Sequence, residues 1–387
     1  MRNTDKLLLA GILFWGFRSL TAISLPLYLL SQGVSLSAIA FSKSIQLVII
    51  GLFSFATGAL SDRFGAKSSV VLASGLQVLY FFIIADASLM AVYVAEALNG
   101  LSLALYNGCY EKWLHDEKDS GFSRNYGLYQ KWRFLLMGGL VFTGGLFRES
   151  ALYAAGALLV LVTILFVSCR ENLPELKPQT NYHKEKKRFY VRPRLLVLCI
   201  FYITGSAMMV PIYTLWPAQF VLANVKVYPG AIYLAAMVLQ WLVMHYLGKL
   251  PEQYGLRRTL YFLVNSIVPA GALMGLSLLM LSDNPMFLQP LSVTAMFLML
   301  SMPTAALTMC FIEMNRMYGG SRASFISLID TLIKLLSSLV MFVLTYNHTT
   351  FLATTWLVVS ALFLLTFIPV MFMLLSHLRA STSTLKD

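Results

Sequence analysis

The stretch that decides the fold of this chain reads Gly58-Ala59-Leu60-Ser61-Asp62-Arg63-Phe64-Gly65-Ala66-Lys67. A degenerate second copy reads Gly248-Lys249-Leu250-Pro251-Glu252-Gln253-Tyr254-Gly255-Leu256-Arg257. Both follow the pattern Gly-x-Leu-x-acid-x-aromatic-Gly-x-base, and each lies between two long apolar stretches. Such an internal repeat predicts two related halves. In a membrane protein, repeated halves are typical of transporters, which bind their substrate where the repeats meet.

The composition excludes an ordinary soluble domain. Apolar residues make up 58% of the 387 residues, and charged residues 12%, against roughly 25% charged in soluble domains. The apolar stretches are long enough to cross a bilayer and lack the alternation of barrel strands, so we expect an all-α polytopic membrane protein. Twelve transmembrane helices are predicted, at 7–30, 38–58, 68–87, 90–111, 124–147, 150–169, 195–221, 228–248, 258–281, 286–310, 323–345 and 351–376.

A charged segment with three prolines separates the first six spans from the last six. It has no apolar periodicity and therefore reads as a tether. We predict an N-terminal six-helix bundle over 1–170, a cytoplasmic linker over 171–194, and a C-terminal six-helix bundle over 195–387. The other loops are short, which leaves no room for a soluble catalytic or nucleotide-binding domain.

The net charge of +12 follows from the placement of the basic residues. If the N-terminus is cytoplasmic, the Lys and Arg residues outside the spans lie in cytoplasmic segments, with the exceptions of Arg148 and Lys226. This asymmetry predicts that both termini lie in the cytoplasm. Basic loops facing an anionic leaflet account for the charge, so we expect a protein of the cytoplasmic (inner) membrane with the lipid bilayer as partner and no nucleic acid. The four cysteines show no metal-binding or redox spacing, and we expect neither a metal nor a disulfide.

The first repeat copy resembles the signature loop between the second and third helices of the major facilitator superfamily. That family's pattern is Gly-x-Leu-Ala-Asp-Arg-x-Gly-Arg-Lys, and the chain departs from it at Ser61 and Ala66. The second copy falls between helices eight and nine, where the family carries its own second copy. The resemblance covers the whole chain and implies a fold of two six-helix bundles around a central cavity. It also implies a conformational latch, formed here by Gly58, Asp62, Arg63, Gly65, Lys67 and Glu252.

Two further family motifs are altered. The arginine of the helix-four pattern Arg-x-x-Gln-Gly is replaced by an acid in Glu96-Ala97-Leu98-Asn99-Gly100. The glycine-rich stretch from Gly138 to Gly145 lacks the proline that drug/proton antiporters carry in helix five. Both departures argue against a standard multidrug antiporter.

Charged residues inside the spans are the candidates for the substrate site, because a charge at mid-membrane costs roughly 2.5–3.5 kcal/mol. Arg18 lies midway along the first helix. In the fifth, Arg133 and Lys131 point to nearly opposite faces, so they are not expected to line one cavity together. We favour Arg133, whose stripe is more polar. Lys43 lies near the outer end of its helix and is expected to snorkel.

Acids inside the spans are the candidates for proton coupling. Glu96 shares a helix-four stripe with Asn99, whereas Asp330 and Lys334 are four residues apart and are expected to pair. An alternative role for the two arginines is a salt bridge to Glu96. We predict substrate binding by Arg18, Arg133, Glu96, Asn99 and Lys334, and coupling by Glu96, with Asp330 in reserve.

The excess of positive charge in the cavity predicts an anionic or zwitterionic cargo, because the arginine fork matches carboxylate and phosphate. The expected function is secondary transport of a small organic anion or zwitterion, a metabolite or a carboxylate-type metal chelator, by a monomer coupled to H+ and without a cofactor. Two alternatives stay open: efflux of amphipathic drugs, and a transporter-like sensor that moves nothing. No catalytic constellation is found, so an enzyme is not expected. The substrate, the direction of transport and the coupling ion cannot be read from the sequence.

Overall fold

In a computed structural model, the chain is all-helical in the part described. That part comprises residues 2–117, 122–147, 149–171, 193–222, 227–247, 266–277, 280, 285–317, 322–346, 357–358, 360–362 and 364–369. The predicted all-α polytopic fold is confirmed. Within these residues, six helices are long and apolar enough to cross a membrane.

The helices of the first half are α1 (Asn3–Ser19), α2 (Ser24–Ser31), α3 (Leu36–Phe64), α4 (Ala66–Ile84), α5 (Leu89–Tyr106), α6 (Cys109–Asp116), α7 (Phe122–Phe147) and α8 (Ser150–Ser168). Those of the second half are α9 (Pro193–Leu222), α10 (Pro229–Leu247), α11 (Ser266–Ser277), α12 (Pro285–Met317), α13 (Arg322–Tyr346) and α14 (Ser360–Pro369). Most of the predicted linker lies outside the described residues.

Two predicted spans are broken. The first is divided between α1 and α2 by a turn over Leu20–Ile23, where the amide of Ala22 donates to the carbonyl of Ser19 at 2.9 Å. The fourth is divided between α5 and α6 at Gly108, whose φ of 81° is open to glycine and strained for other residues. Apolar content is continuous across both breaks, so hydropathy alone does not reveal them.

Each half has its own apolar core. The first core draws on α1, α4, α5, α6 and α8, with Phe14, Tyr106, Trp113 and Phe166 fully enclosed. The second draws on α9 to α13, with Trp216 and Phe220. On the outside of the bundle, large apolar side chains such as Leu72, Leu79 and Leu161 are exposed. An apolar exterior of this kind suits a helical protein whose solvent is lipid.

Among the described residues, the two halves meet chiefly through two helix pairs, α3 with α13 and α7 with α10, with a smaller contact between α2 and α9. We call the side of the bundle that carries the turn at 32–35 the distal side, and the side that carries Gly65 and Arg170 the N-terminal side. On the distal side, the hydroxyl of Ser338 donates to the carbonyl of Ser44 at 3.1 Å. The hydroxyl of Tyr228 donates to the carbonyl of Phe142 at 2.5 Å. These contacts close the distal side of the interface between the halves.

Candidate functional site

The carboxylate of Glu96 is the centre of a polar cluster inside the first half. Its side chain is 1% exposed and receives hydrogen bonds from three helices. The ammonium of Lys43 (α3) lies 2.5 Å from Oε1, the hydroxyl of Tyr80 (α4) donates to Oε1 at 3.3 Å, and the amide of Asn99 (α5) donates to Oε2 at 3.0 Å. A buried carboxylate needs such partners, because desolvating an unpaired charge is costly.

Lys43 corrects one expectation from the sequence. Its ammonium does not snorkel toward the end of its helix; it pairs with Glu96 and also lies 3.4 Å from Oε1 of Gln46. The side chain is 18% exposed, so water reaches it poorly. Lys43 is thus the ion-pair partner of Glu96. In the described residues the arginines do not pair directly with this acid, as the alternative had it.

Asn99 links the acid to the first arginine. While its amide nitrogen donates to Glu96, its Oδ1 accepts from a terminal nitrogen of Arg18 at 3.3 Å. The guanidinium carbon of Arg18 lies 5.1 Å from the centre of the Trp15 ring, which is a cation–π distance. Nε of Arg18 is buried and has no hydrogen-bond partner among the described residues. Arg18 therefore keeps donor capacity for a further acceptor.

Arg133 lies on the same tryptophan. Its guanidinium carbon is 5.2 Å from the Trp15 ring, 5.5 Å from that of Tyr129 and 5.2 Å from that of Phe134. Arg18 on α1 and Arg133 on α7 thus both lie against one indole, although they are 115 positions apart in the chain. The structure brings together the two arginines that the sequence analysis selected.

A second acid lies within electrostatic range of Arg133. Glu111, on the short helix α6, interacts electrostatically with that guanidinium, and its Oε2 accepts from the amide of Gly108 at 2.8 Å. The sequence analysis missed Glu111 as part of this region. A signal was present, since an acid at the third position of a helix commonly accepts from the backbone at its start.

An aromatic column fixes Trp15. Phe14 stacks on Tyr106 with ring centres 4.2 Å apart, and Tyr106 stacks on Tyr110 at 5.2 Å. Tyr106 also meets the Trp15 ring edge-on at 6.0 Å. Stacked and edge-on rings restrain each other's rotation, so the indole beside the two arginines is held in place by the core of the first half.

Lys131 has a different neighbour from Arg133, as its place on α7 predicts. Its ammonium lies 5.0 Å from the centre of the Trp241 ring on α10. Lys131 thus faces the second half, while Arg133 faces Trp15. Of these two residues, Arg133 is therefore the one that can line a site together with Arg18.

The expected pair on α13 is formed. The ammonium of Lys334 lies 3.7 Å from the carboxylate of Asp330, and the side chains are 21% and 31% exposed respectively. Lys334 is close to Gly51 of α3, at the contact between the halves, and Asp330 interacts electrostatically with Glu111. Whether either residue binds substrate or protons stays a prediction.

Of the latch residues, Gly65 and Lys67 can be described. Gly65 has φ of 87°, a conformation that favours glycine, and a Cβ there would also meet the carboxylate of Glu171. Oε1 of Glu171 accepts from the amides of Ala66 at 2.6 Å and Lys67 at 3.2 Å, at the start of α4. The side chains of Asp62 and Arg63, with Gly58 and Glu252, lie outside what the structure describes.

Lys67 ties the loop to the end of α8. Its ammonium donates to the carbonyls of Val167 at 2.8 Å and Cys169 at 2.6 Å, where the helix dipole favours a cation.

A third polar cluster lies in the second half, and the sequence analysis did not find it. Gln240 (α10) donates from Nε2 to the carbonyl of Leu300 (α12) at 2.6 Å, and this nitrogen lies 3.1 Å from both Tyr213 Oη (α9) and Thr304 Oγ1 (α12). Neutral residues on three different helices carry no pattern that stands out in an apolar sequence.

Comparison with known proteins gives the fold. No protein-family model matches the chain, and no curated protein sequence does. Solved structures do match over nearly the whole length. The nucleoside transporter NupG (D323A mutant) has a TM-score of 0.73 at 14% identity, over 96% of this chain and 100% of that one. The D-xylose-proton symporter has a TM-score of 0.74 at 11% identity, over 95% and 96%. The human organic anion transporter MFSD10 (TETRAN) has a TM-score of 0.65 at 15% identity, over 95% and 98%.

Proposed function

From the major facilitator superfamily fold that the chain shares with these transporters, we propose that it is a secondary transporter for a small organic anion or zwitterion. It works in the cytoplasmic membrane, as a monomer with both termini in the cytoplasm, by alternating access of a site between its halves. The observation that carries the proposal is that two guanidinium groups, those of Arg18 and Arg133, lie within cation–π distance of the same ring, Trp15.

The charge balance of this region supports an anionic cargo. Among the described residues inside the first half, the cations are Arg18, Lys43, Lys131 and Arg133, and the acids are Glu96 and Glu111. Lys43 forms an ion pair with Glu96 directly, whereas Arg18 is linked to that carboxylate through hydrogen bonds of Asn99. Two guanidinium groups at membrane depth cost free energy, and charged residues in such positions usually have a functional role. A carboxylate or phosphate cargo provides one, because it matches the arginine fork and offsets the charge.

Trp15 adds a flat apolar surface beside the two arginines. A cargo with a planar or apolar part next to its anionic group would pack on this indole. The amphipathic-drug alternative shares that feature, but two guanidinium groups disfavour the cationic compounds that such a surface would otherwise attract. The anion reading is therefore the stronger of the two, and a sensor that moves nothing is separated from both by a transport assay.

Closure of the distal side supports alternating access. The contacts of Ser44 with Ser338 and of Phe142 with Tyr228 join the two halves there. With the topology predicted from the basic loops, the distal side is external, and this state is closed to the outside. Rocking of the halves about the site would break these contacts and open the cavity outward.

We assign proton coupling to Glu96. A coupling group must change protonation as the cavity switches sides, and Glu96 is a buried acid whose partner Lys43 lies on α3, a helix that contacts the second half. Movement of α3 relative to α5 would stretch the ion pair and favour protonation of the carboxylate, since a buried acid without its counter-charge prefers the neutral form. Asp330 is the reserve candidate.

The experiment that tests the proposal is transport and binding by purified protein with a panel of organic anions and chelators. Arg18→Ala or Arg133→Ala should weaken binding of the active compounds about tenfold or more, and lysine at either position should restore it only in part, because the bidentate fork is lost. Binding is read by ligand-induced thermal stabilisation, and transport by uptake into proteoliposomes.

Lys131→Ala is the matched control, since it removes a cation from the same helix that faces Trp241 instead of Trp15. Anions that bind equally well to the wild type and to both arginine variants would contradict the proposal. A cationic compound transported equally by all of these variants would favour drug efflux. Absence of any uptake by a protein that binds its ligands would favour the sensor.

A further inference from the structure

The cluster around Gln240 contains an orphaned polar atom. The side chain is 2% exposed, and its Oε1 is buried without a hydrogen-bond partner among the described residues. Buried polar groups are nearly always paired. A buried carbonyl oxygen that lacks a donor therefore points to a partner that the described residues do not supply.

The orientation of the Gln240 amide is fixed by its surroundings. The carbonyl of Leu300 lies 2.6 Å from Nε2 and can only accept, so the amide nitrogen must face it. Exchanging the nitrogen and oxygen would place two acceptors against each other. The hydroxyl of Tyr213 also lies 2.6 Å from that carbonyl, which strengthens the constraint. Oε1 is thus the end of the amide that remains available.

Gln240 lies one turn from residues of α10 that meet the first half, and its own hydrogen-bond partners are on α9 and α12 of the second half. Tyr233, Met237 and Gln240 are spaced by four and three residues and so share one helix face. Met237 packs against Gly138 of α7, where a Cβ would come within 2.9 Å of it. Tyr233 lies within electrostatic range of Arg18, Arg133 and Tyr213. This face of α10 therefore connects the arginine pair with the Gln240 cluster.

We propose that Gln240, held by Tyr213 and Thr304, is a second subsite that accepts a hydrogen bond from a neutral donor on the cargo. The inference rests on the proposed function and narrows it. The anionic group of the cargo binds at Arg18 and Arg133, and a hydroxyl or amide N–H at its far end donates to Oε1 of Gln240. The cargo class is then a hydroxylated or amide-bearing organic anion rather than a simple fatty or aryl acid.

The division between the halves gives the subsite a role in transport. The first half supplies the charged contacts and the second half supplies the neutral one, so a cargo with both groups bridges them. Bridging contacts stabilise the state in which both halves touch the cargo, and they favour compounds long enough to reach both. A cargo without the distal donor would leave the buried oxygen unpaired, which is the kind of loss that gives polar sites their selectivity.

The test compares matched anions on the purified full-length protein: hexanoate with 6-hydroxyhexanoate, octanoate with 8-hydroxyoctanoate, and phenylacetate with 4-hydroxyphenylacetate. Dissociation constants are measured by calorimetry at constant ionic strength. At least one hydroxylated member should bind about tenfold more tightly than its parent to the wild type. Gln240→Leu should reduce that ratio to near one, while leaving the affinity for the parent acid within about twofold.

Ser301→Ala is the matched control, because Ser301 lies on α12 and its hydroxyl, among the described residues, bonds within its own helix, to Phe297 at 2.7 Å and Leu298 at 3.4 Å. It should keep the preference. If Gln240→Leu does not fold, Gln240→Asn keeps the amide but withdraws it by one methylene, and it should also lower the ratio.

The two proposals fail in different ways. Anions that bind through Arg18 and Arg133 with no preference for any hydroxylated member, or with a preference that survives both Gln240 variants, would overturn the subsite alone; the orphaned oxygen would then be met by water. Equal binding of all six compounds to the wild type and to Arg18→Ala, or no binding at all, would overturn the anion site and the subsite together.

Discussion

At the scale of single residues, the site depends on an asparagine that serves two charges. Asn99 donates to Glu96 and accepts from Arg18, so the acid and the base are joined without touching. The acid itself is neutralised by Lys43. This arrangement keeps the fork of Arg18 available for a ligand while the only strong ion pair of the cluster, among the residues described, remains inside the protein.

The Lys43–Glu96 pair leads to a prediction about stability. Lys43→Met should destabilise the protein by about 3–5 kcal/mol, because it leaves a buried carboxylate without its counter-charge. The double variant Lys43→Met/Glu96→Gln should recover much of that loss, since both charges are then gone. Thermal unfolding of the wild type, Lys43→Met, Glu96→Gln and the double variant in one detergent measures the interaction energy between the two side chains. Losses that simply add would show that the two side chains do not interact.

The same variants report on coupling. Glu96→Gln should abolish cargo accumulation driven by a pH gradient and leave energy-independent exchange largely intact. Accumulation that still follows the gradient in Glu96→Gln would place the coupling group elsewhere, with Asp330 the next candidate.

At the scale of elements, the glycine-rich part of α7 is explained by what each glycine touches. Gly138 packs on Met237 of α10, Gly144 lies against the carbonyl oxygen of Leu20, and Gly145 lies against the hydroxyl of Tyr228. The helix therefore passes close to the break between α1 and α2 on one side and to the second half on the other. Arg133 owes its position beside Trp15 to this close passage of α7 along α1.

Gly144 can be tested against a neighbour on the same helix. A Cβ at Gly144 would collide with the backbone of Leu20, whereas a Cβ at Gly139 would meet nothing within 4 Å. Gly144→Ala should therefore cost about 1–3 kcal/mol through forced displacement of the backbone. Gly139→Ala should be neutral or slightly stabilising, because alanine favours helix by about 1 kcal/mol. Equal melting temperatures for the two variants would contradict the close contact.

At the scale of the whole molecule, the contacts between halves define one conformation, and the proposed alternating access requires at least one other. The pairs α3 with α13 and α7 with α10 join the halves in the conformation described. The ring of Phe41 on α3 lies 6.4 Å from that of Phe342 on α13, and the hydrogen bond from Ser338 to Ser44 lies one turn further into the bundle.

A crosslink across this contact should stop transport. In Ser44→Cys/Ser338→Cys, oxidation should join α3 to α13 and abolish uptake into proteoliposomes, and reduction should restore it. Ser74→Cys/Thr163→Cys is the matched control, because those hydroxyls lie 2.7 Å apart on α4 and α8 of the same half. It should crosslink without loss of transport. Full uptake by the oxidised Ser44/Ser338 protein would show that this contact does not separate during transport.

Features that depend on neighbours along the chain were predictable from the amino-acid sequence. The apolar stretches predicted an all-helical membrane protein because only helices satisfy the backbone in lipid. The repeated loop predicted the fold that the solved structures confirm. The Asp330–Lys334 pair followed from a spacing of four residues on one helix, and the selection of Arg18 and Arg133 followed from the cost of burying charge.

Which of these groups are in contact depends on the tertiary structure. Lys43 and Glu96 are 53 positions apart, and their pairing depends on how α3 packs on α5, which no local pattern records. The breaks at Leu20 and Gly108 and the convergence of Gln240 with Tyr213 and Thr304 were decided in the same way. The physical reason is that hydropathy and helical spacing fix which residues are buried and on which face of a helix they lie, whereas the partner of a buried polar group is fixed by the angle and register at which separate helices pack.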